Sequence, residues 1–381
     1  VRRAFVYKLR PSRSQLAKLE ETLVTCRHLY NDALAERKEA WENEQQSIGF
    51  AAQSASLPQR KRSSSYLPSV HSQVLQNVLR RVDQSFQNFF RRCKAGDAPG
   101  YPRFKGRGWY DSFCYPQYGN GAKFKDGRLV LSKVGHIKVF RDRPLGGKPK
   151  TATVIRKADG WYVSVLCEVE PEPLPKTGAA VGVDVGITHF ATLSTGETVE
   201  NPRCYRKAQR RLAKAQRRVS RRKKGSKLRE KAKALLGKAH QKVARSRRDH
   251  AHKIAKDLVE RYDRIAVEDL NVSGMVMNHH LAKAISDSGW TQFIQILSYK
   301  AESAGRELVK VNPRNTSQAC SGCGELVRKA LAARWHSCPS CGCELDRDHN
   351  AAKNILNIGS GRAFGEPMPT GAASNREPHV L

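Results

Sequence analysis

The sequence predicts a multidomain α+β protein, and three observations carry that expectation. Short apolar alternations set off by Gly and Asp fill the stretch from about 104 to 172, and two long helical periodicities precede them. From about 178 onward, short buried-strand runs alternate with helical ones. The expected plan is a small β-barrel interrupted by a helical insertion, followed by an α/β domain that carries an inserted cysteine module.

Val1-Arg2-Arg3-Ala4-Phe5-Val6-Tyr7 reads as an opening strand rather than a signal peptide, and it is expected to join the barrel at 104–172. Pro11-Ser12 starts a helix in which Leu16, Leu19, Leu23, Leu29, Tyr30 and Leu34 recur at three-to-four spacing. A polar linker is expected from about 44 to 65. A second helix then carries Val74, Leu75, Val78, Leu79, Val82, Phe86, Phe89 and Phe90 on its apolar face, which makes 11–103 a helical insertion. Prolines at 171, 173 and 175 mark a linker at 173–177. Beyond it come a strand at 181–186, two meander strands at 189–193 and 197–199, and a very basic helical region at 203–260 broken at Lys224-Gly225-Ser226. A strand at 264–268, a helix at 290–304 with Trp290 in the core, a strand at 307–311 and a last helix at 350–358 complete the domain. The tail at 359–381, rich in Gly, Pro, Ser and Ala, is expected to be disordered.

The chain has 381 residues, enough for two or three domains. With 69 Lys and Arg against 35 Asp and Glu, the net charge of +34 repels itself unless a polyanion neutralises it. Nucleic acid is the expected partner, ahead of a ribosomal-type or histone-like basic protein or a membrane-surface binder; charge does not separate DNA from RNA. No apolar run reaches the roughly eighteen residues of a membrane span, so no membrane partner is expected. Cysteines at 26, 93, 114, 167, 204 and 343 are scattered, which fits a reducing cytoplasm better than a disulfide framework. The expected location is cytoplasmic, on the nucleoid when bound to DNA.

Cys320, Cys323, Cys338 and Cys341 form two Cys-x-x-Cys pairs, the spacing that puts four thiolates around one tetrahedral zinc ion. Four thiolates leave no open position, so the zinc is expected to be structural, with Cys343 a spectator. Asp184 and Glu268 close two strand-like runs, and Asp348 stands near the start of the last helix. Singly, each has an ordinary reading as a turn residue, a strand-end charge and a helix N-cap. Together they are mutually repelling acids whose natural resolution is a pair of magnesium ions about 3.5 to 4 Å apart, suited to phosphodiester hydrolysis.

The order of strand-Asp, hairpin strands, helix, strand-Glu, helix, strand and helix-Asp matches a ribonuclease H-like fold of the RuvC type. The runs Gly182-Val183-Asp184-Val185-Gly186, Val267-Glu268-Asp269-Leu270, Ser286-Asp287-Ser288-Gly289-Trp290, Thr316-Ser317-Gln318, Cys320-Ser321 with Cys323-Gly324, and Asp346-Arg347-Asp348 with Asn350-Ala351-Ala352 and Asn354-Ile355 closely resemble the TnpB family, also called OrfB. Tyr101-Pro102-Arg103-Phe104 and Asn88-Phe89-Phe90 extend the resemblance into the N-terminal half. The resemblance implies a transposon-encoded, RNA-guided DNA endonuclease related to type V CRISPR effectors. It implies a wedge barrel at 1–10 and 104–172, a recognition lobe at 11–103, a RuvC nuclease domain at 178–315 and 345–358, and a zinc ribbon that binds target nucleic acid at 316–344. Asp184, Glu268 and Asp348 would be the magnesium-binding catalytic triad; Asp346 is the rival for the third place, set aside because the family pattern is Asp-x-Asn. The implied partners are a guide RNA, one per protein chain, and double-stranded target DNA cut beside a short flanking motif.

Arg217, Arg218, Arg221, Arg222, Lys223 and Lys224 are the densest basic cluster and the candidate backbone grip. Tyr66, Ser72, Gln73 and Gln76 are candidates for reading the flanking motif, since Gln can read adenine edges. Between the cysteine pairs, Arg328, Lys329, Arg334, Trp335 and His336 fit nucleic-acid contact or core and solvent roles equally. Three rivals stand beside the guided nuclease: a guided or unguided DNA-binding regulator that does not cleave, a transposase using the same carboxylates, for which no evident helix-turn-helix reads transposon ends, and an unguided nuclease or junction resolvase.

Overall fold

Residues 1–140, 143–330 and 333–366 are described by a computed structural model, in which the chain divides into two units, Val1–Val169 and Glu170–Leu381. In the first unit the chain runs β1 (Arg2–Arg10), α1 (Arg13–Glu44), α2 (Phe50–Ser63), α3 (Ser72–Lys94), β2 (Ser112–Tyr115), β3 (Ala122–Lys125), β4 (Arg128–Leu131), β5 (Gly135–Phe140), β6 (Lys148–Lys157) and β7 (Gly160–Glu168). The strands make one antiparallel sheet in the order β2-β6-β7-β1-β5-β4-β3. The opening strand is therefore central, and Phe5, Tyr7 and Leu9 alternate into the core as the pleat requires.

Ser12 and Gln15 form a reciprocal capping box that fixes where α1 begins. Leu19, Leu23, Leu29, Tyr30 and Leu34 share one core with Val74 to Phe86 of α3 and with the sheet, whereas Leu16 is exposed. The expected linker at 44–65 is instead helical over most of its length. Helix α2 shows no apolar stripe because its buried face is Gln53 and Leu57. Gln53 satisfies itself by donating to the Ala33 carbonyl at 2.8 Å and accepting from Arg37 Nε at 2.8 Å, so a polar residue does a core residue's work.

The second unit runs β8 (Ala180–Asp184), β9 (His189–Leu193), β10 (Thr198–Glu200), α4 (Cys204–Ser220), α5 (Lys227–Arg261), β11 (Arg264–Glu268), α6 (Val272–Met275), α7 (Ala282–Ser288), α8 (Trp290–Ser303), β12 (Glu307–Val311), β13 (Trp335–Ser337), β14 (Glu344–Asp346) and α9 (Arg347–Gly359). Its five-stranded sheet has the order β10-β9-β8-β11-β12, with β8, β11 and β12 parallel and the β8-β9-β10 meander antiparallel. Trp290 is buried among Phe293, Ile296 and Leu297 on α8, as its pattern predicts. The proline-rich stretch beside the boundary is tied down: Leu174 donates to the Ala304 carbonyl at 3.0 Å, and Arg306 Nη2 to that of Pro175 at 2.9 Å.

Helix α9 lies directly on β8 and β11. A Cβ on Gly182 would stand 2.0 Å from the Ala352 carbonyl oxygen and one on Gly359 2.4 Å from Ala266 Cβ, so glycine at each crossing lets the helix touch the sheet. The first residues of the expected tail, 359–366, depart from the expectation: they close α9 and return on the first cysteine pair, where a Cβ on Gly324 would meet the Phe364 carbonyl at 2.7 Å. The rest of that tail, 367–381, lies outside the described residues. Among the described residues no helix is long and apolar enough to cross a membrane.

Candidate active site and metal centre

Val183 pairs with Val267 in the parallel register of β8 and β11, so Asp184 and Glu268 leave the sheet side by side at the carboxyl ends of adjacent strands. Strand alternation puts Asp184 on the face of Gly182 and Glu268 on the face of Ala266, the face that α9 covers. The first turn of α9 brings the third acid: a methyl at Gly186 would lie 3.9 Å from Asp348 Oδ2. Burial, then the nearby carboxylates of Glu268 and Asp348, hold the Asp184 carboxyl well above the usual range, with Arg347 working against them. Burial also raises Glu268, opposed by a hydrogen bond from the Thr316 hydroxyl. Asp269, next in sequence, is exposed and pairs with Lys310 at 3.1 Å.

The two aspartates at the start of α9 divide their work. Asp346 is the N-cap, its Oδ1 accepting from the backbone N–H groups of Asp348 at 2.8 Å and His349 at 3.2 Å. Asp348 is thereby left with its carboxylate turned to the other acids, and the Arg334 guanidinium stands 3.9 Å from its Oδ2.

The four cysteines converge, their ligand atoms all within 4.8 Å of one another. Cys320 Sγ lies 3.6 Å from Cys341 Sγ and Cys323 Sγ 3.6 Å from Cys338 Sγ, close to the edge of about 3.8 Å expected for thiolates around zinc. Both pairs use one backbone pattern. Cys320 N–H donates to Glu325 O and Gly324 N–H to Cys320 O; Cys338 N–H donates to Cys343 O and Gly342 N–H to Cys338 O. Gly324 and Gly342 take the positive φ each turn needs, +81° and +67°. At Cys338 burial disfavours the thiolate, but backbone donors at Cys341 and Ser340 outweigh it and bring the thiol down to about 7. The donor set fits zinc, with Cys343 outside it. Among the described residues it is the one group of three or more His, Cys, Asp or Glu side chains placed to hold a metal ion.

A buried brace joins the two sites, and sequence reasoning gave its members no role. Thr316 Oγ1 donates to Glu268 Oε1 at 2.5 Å. Asn354 Nδ2 donates to the carbonyls of Thr316 and Ala319 at 2.9 and 2.7 Å, and Asn350 Nδ2 to Ala319 at 2.7 Å. Asn350 Oδ1 accepts the Ser321 N–H at 2.9 Å. Both asparagines are fully buried, and both follow Asp348 on α9. The signal available in the sequence was two asparagines at i, i+4 inside an otherwise apolar helix face, where an unpaired amide is costly.

Arg217, Arg218, Arg221, Arg222, Lys223 and Lys224 are all exposed at the end of the α4–α5 hairpin, and among the described residues none pairs with a carboxylate. Four of them line a recess of about 870 Å³. Asp287, another residue to which sequence reasoning gave no role, anchors the hairpin's base: nearly buried, it accepts from the N–H of Tyr205 at 2.8 Å and of Arg206 at 3.2 Å, and pairs with Arg247 at 3.0 Å. In the first unit Tyr66 donates to Asp32, Ser72 accepts from Lys61 and Gln73 bonds Gln117, while Gln76 is exposed. Between the cysteine pairs His336 is buried against Lys329, and Trp335 is exposed.

Residues 164–279 match the OrfB_IS605 family, described as a probable transposase, and 290–355 match a domain described as Cas12f1-like TNB. Residues 1–46 match a model described as a helix-turn-helix domain, a similarity not anticipated from the sequence; the structure there is one strand and one continuous helix, β1 and α1. A Streptomyces pristinaespiralis protein named "Putative RNA-guided DNA endonuclease" is 40% identical, covering 94% of this chain and 90% of that protein. Another bearing that name, InsQ of Escherichia coli K12, is 32% identical over 98% of this chain and 97% of its own length. The solved structure of CasPhi-2 (Cas12j) bound to crRNA superposes with a TM-score of 0.49 at 10% identity, covering 97% of this chain and 99% of that one. The near-full-length identity to these relatives, joined to the OrfB match, establishes that this chain belongs to the TnpB (OrfB) family.

Proposed function

We propose that the protein is an RNA-guided DNA endonuclease that binds a guide RNA, one per chain, and cleaves double-stranded target DNA beside a short flanking motif. The observation that carries the reading is the gathering of Asp184, Glu268 and Asp348 at the carboxyl ends of two parallel strands, in a chain 40% identical to a protein named for that activity. The first unit's sheet is the wedge and α1 to α3 the recognition lobe; the second unit is the RuvC domain with its zinc ribbon at 316–344. Base pairing to the guide supplies sequence specificity, while the surplus positive charge grips backbones and the lobe reads the flanking motif.

Asp184, Glu268 and Asp348 would hold two magnesium ions, and an Asp184 carboxyl raised by burial and by its two acidic neighbours fits a site that cations complete. Held there, magnesium would supply activation of a water and neutralisation of charge on the leaving oxygen. This chain's own residues set the geometry. Asp346 fixes the first turn of α9 under Asp348, and Thr316 orients Glu268 through its hydroxyl. Arg334 adds positive charge beside Asp348 where a phosphate would enter.

Thr316→Val removes the hydroxyl while keeping the shape. The expected result is a single-turnover cleavage rate lower by about tenfold to a hundredfold, since a hydrogen bond to a charged group is worth about 1.5–3 kcal/mol. Target binding by gel shift stays at the wild-type level; an unchanged rate would remove Thr316 from the mechanism.

The guided reading is tested by expressing the gene with its native flanking DNA and sequencing the copurifying nucleic acid. A discrete RNA with a constant body and an end derived from beyond the gene is expected. The family description as a transposase favours a second reading, strand transfer by the same acids. Heterogeneous RNA, or none, with joined rather than cut DNA products would select it.

A further inference from the structure

The run Tyr101-Pro102-Arg103-Phe104-Lys105-Gly106-Arg107-Gly108-Trp109 interleaves three large aromatics with three cations, and neither the active site nor the zinc module uses it. It lies in the connection from α3 to β2 and forms no helix or strand, yet it is held at several points. Tyr101 packs edge-on against Phe86 and Phe89, with ring centroids at 5.6 and 5.5 Å. Asn31 on α1 clamps Lys105 from both sides: its Nδ2 donates to the Lys105 carbonyl at 3.1 Å, and its Oδ1 accepts the Lys105 N–H at 2.7 Å. Tyr110 is buried beside Tyr30. Between these anchors the Trp109 N–H bonds the Gly106 carbonyl at 3.1 Å, and Gly108 at φ +89° closes the turn.

The clamped backbone presents its aromatics outward. Trp109 is 81% exposed, Phe104 55% and Tyr101 44%. Tyr101 spends one edge on Phe86 and Phe89, but at Phe104 and Trp109 such exposure on a well-anchored segment contributes nothing to the core and leaves flat apolar faces in water. Among the described residues Arg103, Lys105 and Arg107 pair with no carboxylate. Lys105 Nζ lies over the Tyr30 ring at 5.7 Å, which leaves Arg103 and Arg107 as the cations of this run without a carboxylate or ring partner among the described residues. Aromatic faces at fixed positions beside such cations are what a strand with unpaired bases requires: rings to stack on, charge for the phosphates. Helical duplexes keep their bases stacked inside and offer nothing to an indole on a turn.

We propose that this turn is a stacking platform for unpaired nucleotides, with Trp109 the principal base-stacking residue and Arg103 and Arg107 on the adjoining phosphates. The inference shares with the proposed function only the premise that the chain binds nucleic acid, and it stands or falls without a guide. Its two sources, an unpaired part of the RNA and a DNA strand released from its duplex, present the same chemistry.

The test measures fluorescence anisotropy of labelled oligo(U), oligo(dT) and a short DNA duplex on the full chain, stripped of nucleic acid in high salt. Trp109→Ala is expected to weaken single-strand binding by about 5- to 100-fold, the range for loss of one stacked base, and to leave duplex binding unchanged. Trp109→Phe keeps most of the single-strand affinity because it keeps a π-face. The larger loss on oligo(U) assigns the platform to RNA; the larger loss on oligo(dT) assigns it to the released DNA strand. Unchanged single-strand binding in Trp109→Ala, or an equal loss on duplex, overturns the proposal. A failure of the guided reading, by contrast, would appear as no discrete copurifying RNA while these affinities held.

Discussion

In Asp184→Asn, DNA cleavage falls by at least about 10³-fold while target binding is retained, and the metal-free protein becomes more resistant to heat, not less. The expected loss of rate follows from the place of Asp184 beside both other acids of the proposed site. On the proposed two-metal reading, an amide there removes a negative charge that would hold the cations, and with it several kcal/mol of charge stabilisation in the transition state. Binding is expected to survive because the substitution leaves the exposed basic cluster of the α4–α5 hairpin, the proposed backbone grip, unchanged.

The gain in stability has the opposite origin. Burial and two acidic neighbours raise the folded-state pKa of Asp184, so above the ordinary carboxylate range the native state holds protons that the unfolded chain has released. Stability of the metal-free protein therefore declines as pH rises through that window, and Asn, which carries no charge, abolishes this part of the decline. Melting in chelator between about pH 5 and pH 8 should show a steeper fall for wild type than for the variant, with about 2–4 °C for each kcal/mol recovered. A variant that melts lower at the upper pH, or one that still cuts, would refute Asp184 as a metal-binding acid under repulsion.

Much of this site was legible because its signals are local. Alternation around Val181 and Val183 announces a buried strand ending on Asp184, and paired Cys-x-x-Cys spacing announces a tetrahedral site whatever surrounds it. What the sequence hides is partnership across distance. Helix α2 was missed because Gln53 solves a burial problem with hydrogen bonds to α1, and no hydropathy pattern records a satisfied amide. Asp346 and Asp348 are alike in one dimension; only the capping bonds to Asp348 and His349 show which carboxylate is consumed by the helix. Thr316, Asn350 and Asn354 belonged to recognisable runs, but their purpose depends on a loop, a strand end and a helix meeting in space. The 44–65 segment and the first residues after Gly359 share the same lesson: polar composition predicts exposure, and it fails where polar groups find fixed partners.

If the four cysteines hold zinc as proposed, replacing Cys338 by Ser should remove it and lower the single-turnover cleavage rate by about a hundredfold even with target DNA saturated, because the cysteine module is braced through Thr316 to Glu268 of the proposed catalytic site. Structural zinc contributes about 10–16 kcal/mol to the folding of small zinc peptides, so its loss outweighs what two short turns and the three-residue β13–β14 pair can hold by themselves. Once the knuckle containing Cys320 loosens, the carbonyl of Ala319 and the N–H of Ser321 leave Asn350 and Asn354. The buried amide of Asn350 then lacks its partners and Asn354 keeps only the Thr316 carbonyl, so Thr316 is held less firmly and the hydroxyl that orients Glu268 is misplaced. The readouts besides rate are zinc per chain by metal analysis and faster amide exchange at Cys320, Ser321 and Gly324, with α5 and α8 still protected. If the ribbon served only to touch target DNA, the variant would bind DNA more weakly but cut bound DNA at the wild-type rate, and Thr316→Val would cut normally as well. A shared defect in chemistry, small in Thr316→Val and large in Cys338→Ser, is the signature of one continuous chain of contacts from the thiolates through Thr316 to Glu268.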